Sequence, residues 1–175
     1  MRDVRPAAVA GTFYPGNAAE LAVAVRECLA GTAAPVAPAA SPKALIVPHA
    51  GYVYSGPIAA GAYARLASLR STIRRVVILG PTHRVAVRGL ALPSARAFAT
   101  PLGEVEVDRV AVATLAGLRQ VVVSDSAHAL EHSLDLGILE RRDGRDPAER
   151  RRREGEDRRR EPAAHAFFNT AASTR

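Results

Sequence analysis

The sequence predicts an α/β protein whose sheet is mostly parallel or mixed, with helices on both faces. Three observations lead there. Short uninterrupted runs of Val, Ile and Leu recur along the first 135 residues, each closed by Gly, Pro or a polar turn. Stretches with helical spacing and start signals alternate with those runs. The 175-residue chain is 48% hydrophobic but only 5% aromatic and has no Trp, so one aliphatic core of Val, Leu, Ile and Ala is expected.

The elements follow in order. Residues 1–17 read as extended and end in the turn Tyr14-Pro15-Gly16-Asn17. Asn17, with Glu20 three places on, matches a capping box and starts a helix over 18–30. Leu21, Val25 and Cys28 or Leu29 share its apolar face, and Gly31 stops it. Residues 32–42 are a Pro/Ala linker. Ala44 to Val47 is a buried strand ended by Pro48-His49-Ala50-Gly51-Tyr52. Ser55-Gly56-Pro57 opens a helix running to Leu69, with Pro57 near its first position. Arg75 to Leu79 is a second buried strand, ended by Gly80-Pro81-Thr82-His83. Strands are expected near 87–92 and 104–107, around the turn Thr100-Pro101-Leu102-Gly103. Asp108 caps a helix to Gly117, Gln120 to Val123 forms a strand, and Asp125 to Glu140 reads as a loop followed by a helix.

This pattern stops near residue 140. From Arg141 to His165 there is no Val, Ile, Leu, Met or Phe, so that segment cannot bury enough to offset its ordering entropy. Residues 1–140 are read as the folded part and 141–175 as an Arg-rich tail. The tail is read as a disordered or solvated segment, with i,i+4 pairs such as Glu149 and Arg153, or as the product of a frameshift. The chain's 23 Arg against one Lys point to a GC-rich gene, whose out-of-frame codons yield Arg, Gly, Ala and Pro.

Charge and cysteine usage narrow the function classes. The net charge of +7 divides into +3 for residues 1–140 (13 basic, 10 acidic) and +4 for the tail (11 and 7). The body is nearly balanced, and the tail interleaves its basic residues with acids, so nucleic acid is not expected as a partner. Cys28 is the single cysteine, which rules out an internal disulfide and fits a reducing, cytoplasmic setting. No apolar run follows the first charges, and no run of about 18 apolar residues exists, so neither a secretory signal nor a membrane span is expected.

The chemistry is expected at strand ends. His49 follows the first buried strand and His83 the second, and sites in α/β sheets form outside the carboxyl ends of strands. Two imidazoles there can converge on a metal or a substrate, or each can cap a turn. His128-Ala129-Leu130-Glu131-His132 matches the H-x-x-E-H pattern of inverted zinc peptidases, with both histidines on one helix face. Tyr52, Tyr54 and Ser55 lie beside His49, where hydroxyls can orient a substrate, although Ser55 reads better as a helix-start contact. Gly51, Gly56 and Gly61 do not fit a phosphate-cradling spacing, and Cys28 reads as a small core residue.

Taken in order, six segments resemble the Memo family, also called AmmeMemoRadiSam system protein B. They are Ala10-Gly11-Thr12-Phe13-Tyr14-Pro15, Pro48 to Gly56, Leu79-Gly80-Pro81-Thr82-His83, Thr100-Pro101-Leu102-Gly103, Val107-Asp108, and Glu131-His132-Ser133-Leu134-Asp135. The resemblance runs from residue 4 to about 135, roughly the first half of a family domain. It implies a fold like that of class III non-haem iron dioxygenases, incomplete at its C-terminus here. It implies a divalent metal, iron first, with His49 and His83 as ligands, His132 lining the site as the catalytic candidate, and Tyr52 and Tyr54 near the substrate. The family's further ligand is a cysteine in the second half of its domain, and Cys28 is in the wrong place to replace it, so weak or absent metal binding is expected of these residues alone. AMMECR1-like and radical-SAM proteins are the implied partners. The resemblance also absorbs the H-x-x-E-H motif, because Glu131-His132-Ser133 belongs to the family pattern. A non-catalytic binding or adaptor module using the same pocket remains the main alternative, and the metallopeptidase the second.

Overall fold

The computed structural model describes residues 3–32, 42–69 and 72–136, and the backbone of a strand at 164–171. In chain order its elements are β1 (Val4–Arg5), α1 (Ala18–Ala30), α2 (Tyr52–Tyr63), β2 (Arg75–Thr82), β3 (Leu90–Leu92), β4 (Ala97–Thr100), β5 (Gly103–Glu106), α3 (Arg109–Leu115), β6 (Val121–Val123), α4 (Asp125–Ala129) and β7 (Ala164–Ala171). A 3-10 stretch, Ala64–Leu69, continues α2.

The chain is mixed α/β and its sheets are mixed, one of the two arrangements expected, although the strands form two small sheets rather than one. One has the order β1-β4-β5 and the other β2-β7-β3-β6. β1 runs parallel to β4, with Val4 opposite Ala97, and β4 runs antiparallel to β5, with Phe98 opposite Val105. In the second sheet β2 is parallel to β7 and β3 to β6, whereas β3 and β7 are antiparallel. The antiparallel pairing of β4 and β5 comes from the Thr100 to Gly103 turn, which is short enough to make a hairpin. Thr100 Oγ1 accepts from Leu102 N at 3.2 Å, and Gly103 takes φ 109, a left-handed conformation that favours glycine.

Local chemistry explains the helix starts. The Asn17 side chain accepts from Ala19 N at 2.8 Å and from Glu20 N at 3.2 Å, and α1 buries Leu21, Ala22 and Val25. Asp108 Oδ1 accepts from Ala111 N at 2.9 Å and opens α3, while its other oxygen accepts from Arg75 Nε at 2.7 Å. Two apolar clusters form the core. Leu92, Phe98, Val105, Val107, Val112, Val121 and Leu134 make the first. Tyr14, Leu21, Val25, Tyr52, Leu102 and Leu136 anchor the second.

Three expected elements differ. Ala44 to Val47 forms no strand, and Ile46 is fully exposed (100%). A strand buried on both faces needs neighbours on each side, and none of the described strands runs beside it. The helix expected from Pro57 starts five residues earlier, at Tyr52, with Gly51 as its cap and Ser55 N donating to Gly51 O at 3.0 Å. Pro57 therefore lies inside α2, and the carbonyl it leaves without a helical donor, that of Val53, belongs to a residue 88% exposed. Over 125–136 a helix comes first, α4 from Asp125 capped by Ser124, then a loop and a helical turn at 133–136; the rest of the expected helix, 137–140, lies outside the described residues.

Most of the linker (33–41) and of the tail (141–163 and 172–175) lies outside the described residues, and with it the ion-paired helix read there. β7 is an element the sequence reading did not assign. It coincides with the tail's only bulky apolar residues, Phe167 and Phe168.

Candidate metal centre

Three segments bring three histidines to one place. His49 lies in the extended stretch before α2, which is tied down by Tyr52 N donating to Phe13 O at 2.8 Å. His83 immediately follows β2. His132 lies in the turn after α4. Ring centroids are 5.4 Å apart for His49 and His83, 5.8 Å for His49 and His132, and 4.4 Å for His83 and His132, which stack at 22°. One nitrogen from each ring falls within 4.8 Å of the others. Phe13 closes one side, its ring edge-on to His132 at 4.7 Å.

The centre is built around a buried carboxylate that the sequence reading missed. Glu131 is 2% exposed. Its Oε1 lies 2.8 Å from His83 Nδ1 and accepts from His132 N at 2.8 Å and from Ser133 N at 2.9 Å. Its Oε2 accepts from His83 N at 2.6 Å. His132 Nδ1 is 3.4 Å from Oε1, a longer electrostatic contact. Burial pushes the Glu131 carboxyl up, but the N–H groups of Ser133, His83 and His132 and the His83 ring outweigh it and hold it at about 2.

A second device lies behind the first. Arg5, buried on β1, donates through Nε to His128 O at 2.8 Å, and its other nitrogens bond Glu131 O and Asp135. Its guanidinium sits 5.0 Å over the Phe98 ring. Asp135 also accepts from Ala8 N at 2.9 Å and from Tyr14 Oη at 3.2 Å. Burial raises the Asp135 carboxyl despite Arg5 and these donors. One side chain thus pins 128–135, the segment that carries Glu131 and His132. Close packing completes the placement: Ser133 Oγ donates to Pro81 O at 3.0 Å, and a Cβ on Gly80 would meet Ser133 Cβ at 2.9 Å.

The donor set suits a divalent transition metal. Burial, and then the neighbouring imidazole of His83, lower His49. Burial also leads the lowering of His132, where Glu131 opposes it and His83 adds to it. Both rings are therefore neutral near pH 7, the form that ligates. Nitrogens held about 2.1 Å from one ion stand roughly 3–3.5 Å apart, so the widest pair would close by about 1 Å. Beside the site, the buried Thr82 Oγ1 has no hydrogen-bond partner among the described residues.

The structure brings His49, His83 and His132 together; of the two histidines read at strand ends, His83 follows β2, whereas His49 follows a stretch that forms no strand. The structure separates His128 from them. α4 ends at Ala129, so His128 and His132 do not share a helix face, contrary to the H-x-x-E-H reading. His128 is buried instead, donating from Nε2 to Ala91 O at 3.2 Å with its ring against Phe98. Tyr52 is buried in the second core cluster, its ring 6.2 Å from Tyr14, and Tyr54 is 77% exposed. Ser55 makes the helix-start contact, donating to Ala50 O at 2.6 Å. Glu131 was visible beside His132 within the motif, whereas Arg5 carried no signal beyond being a lone charge between Val4 and Pro6.

A mixed α/β chain that gathers three imidazoles over one buried carboxylate defines a protein with a candidate metal centre. Comparison with known proteins gives its family. Residues 5–140 match the family described as Memo-like protein, and this chain belongs to the Memo family. A MEMO1 family protein of Ignicoccus hospitalis is 43% identical over 143 residues, covering 77% of this chain and 50% of that protein. Those of Methanopyrus kandleri and Methanocaldococcus jannaschii are 38% and 35% identical, over 142 and 146 residues. The chain spans about half the length of the curated relatives it matches. No helix among the described residues is long and apolar enough to cross a membrane.

Proposed function

We propose that this chain carries the histidine half of a Memo-like metal centre, with iron as the expected ion and redox chemistry of the non-haem dioxygenase type. One observation carries the reading: three imidazoles offer nitrogens within 4.8 Å of one another. His49 and His83 act as ligands. His132 is the catalytic side chain, an imidazole able to take up a proton within reach of the same point. Ferrous iron bound at such a site supplies one-electron and dioxygen chemistry. The family cysteine implied by the resemblance would add to the donor set. Tyr52 and Tyr54 are proposed to lie on the substrate side, and AMMECR1-like and radical-SAM proteins in the cytoplasm are the proposed partners, which co-purification would test.

Anaerobic titration with Fe(II), read by calorimetry, tests the centre. His49→Ala and His83→Ala are expected to weaken binding by at least tenfold, and His132→Ala to weaken it less while abolishing any iron-dependent turnover. Equal affinity in the wild type and the His49→Ala and His83→Ala variants would remove the metal reading.

A further inference from the structure

Resting on the metal reading above, we propose that Glu131 is the positioning residue of the centre: it holds His83 with Nδ1 protonated, leaves Nε2 as the atom offered to a divalent metal, and supplies the buried negative charge such an ion would meet. Three observations lead to it. An ionised carboxylate only accepts hydrogen bonds, so the 2.8 Å contact between Glu131 Oε1 and His83 Nδ1 requires the proton on Nδ1. A neutral imidazole protonated there presents its lone pair at Nε2, on the far side of the ring from Glu131. The carboxylate is itself immobilised, because the backbone N–H groups of His83, His132 and Ser133 all donate to it.

The charge balance points the same way. Glu131 is 2% exposed, and among the described residues the ion-pair partners of its carboxylate are His83 and His132. Arg5 bonds the Glu131 carbonyl, not its carboxylate. A buried anion facing two imidazoles is better compensated when one of them, His83, also holds a dication. His132, at 3.4 Å, is held more loosely, so His83 is the ring whose tautomer Glu131 dictates.

The test uses two readouts on the full chain. Two-bond 1H–15N correlation on metal-free, histidine-labelled wild type reads the tautomer directly. The expected result is His83 protonated at Nδ1 and bare at Nε2. An Nε2–H tautomer overturns the proposal, whatever the metal does. Co(II), followed by its d–d absorption, is then titrated into wild type and Glu131→Gln, with circular dichroism confirming the variant's fold. Loss of affinity on the order of 10–100-fold supports the proposal. Unchanged affinity and spectrum in a folded variant overturn it. Wild type that binds no Co(II) while showing the expected tautomer defeats the metal reading and upholds the orienting role of Glu131. The tautomer measurement needs no variant, so it decides even if Glu131→Gln fails to fold.

Discussion

Arg5 shows how one residue carries more than its charge. It joins Asp135, two backbone carbonyls and the Phe98 ring, all in a buried setting. Removing one member of a buried ion pair leaves the other uncompensated, so Arg5→Met is expected to cost about 3–5 kcal/mol in chemical denaturation. The double variant with Asp135→Leu should recover part of that loss. It should not recover all of it, because the Glu131 carbonyl loses its Arg5 donor, while His128 O keeps Glu131 N at 3.2 Å. Full recovery would show that the carbonyl contacts contribute nothing. His128 gives a second expectation. Burial, far more than its neighbours, lowers it to about 4; the bond to Ala91 O and the charges of Asp125 and Glu131 oppose this, while Arg5 adds to it. Its folded value lies below the unfolded one near 6.5, so the unfolded chain binds the proton first. Stability is therefore complete above about pH 6.5 and falls as pH drops toward 4, by on the order of 3 kcal/mol. His128→Phe should flatten urea midpoints across that window; an unchanged slope would refute the assignment.

At the scale of elements, what the sequence revealed depended on how local the cause was. α1 and α3 were legible because Asn17 and Asp108 cap them through bonds three residues long. The turn at Thr100 was legible for the same reason. β2 was legible as an apolar run, and His83 after it as a strand-end residue. The strand runs on through Gly80, Pro81 and Thr82, however, and its apolar residues Val77 and Leu79 are exposed rather than buried. The run from Ala44 to Val47 looked identical on paper, but whether it pairs depends on what lies beside it, which no local pattern encodes. α2 began early because Gly51 and Ser55 make a start that outcompetes Pro57. The centre was half legible: His83 stood at a strand end and His49 before a helix start, whereas the contact of Glu131 with His83 spans 48 residues of chain. β2 also carries a prediction. Gly80 lets this strand lie against Ser133 and Leu134, and Gly80→Ala should cost about 1–3 kcal/mol in thermal melts by pushing that turn outward. A neutral substitution would mean the turn yields freely.

For the whole molecule, the outstanding feature is apolar surface left in contact with water. Ile46 is fully exposed, Val77 is 54% exposed and Leu79 63%, with Ile58 and Leu130 also open. Surfaces of this kind associate. Sedimentation velocity should show concentration-dependent self-association, and Ile46→Lys should reduce it while changing stability by less than about 0.5 kcal/mol. A wild-type chain that sediments as a monomer at every concentration would contradict this. The Arg5 clamp, finally, governs timing. Its bond to Asp135 closes a span of 130 residues, a closure costing roughly 4 kcal/mol of chain entropy before any contact repays it. During synthesis, residue 5 leaves the ribosome long before residue 135 exists, so the histidine cluster cannot be among the first structures to form. It is completed only when the two ends of the described region meet, and a metal ion offered to a nascent chain would meet His49 and His83 well before the Glu131 carboxylate that contacts His83.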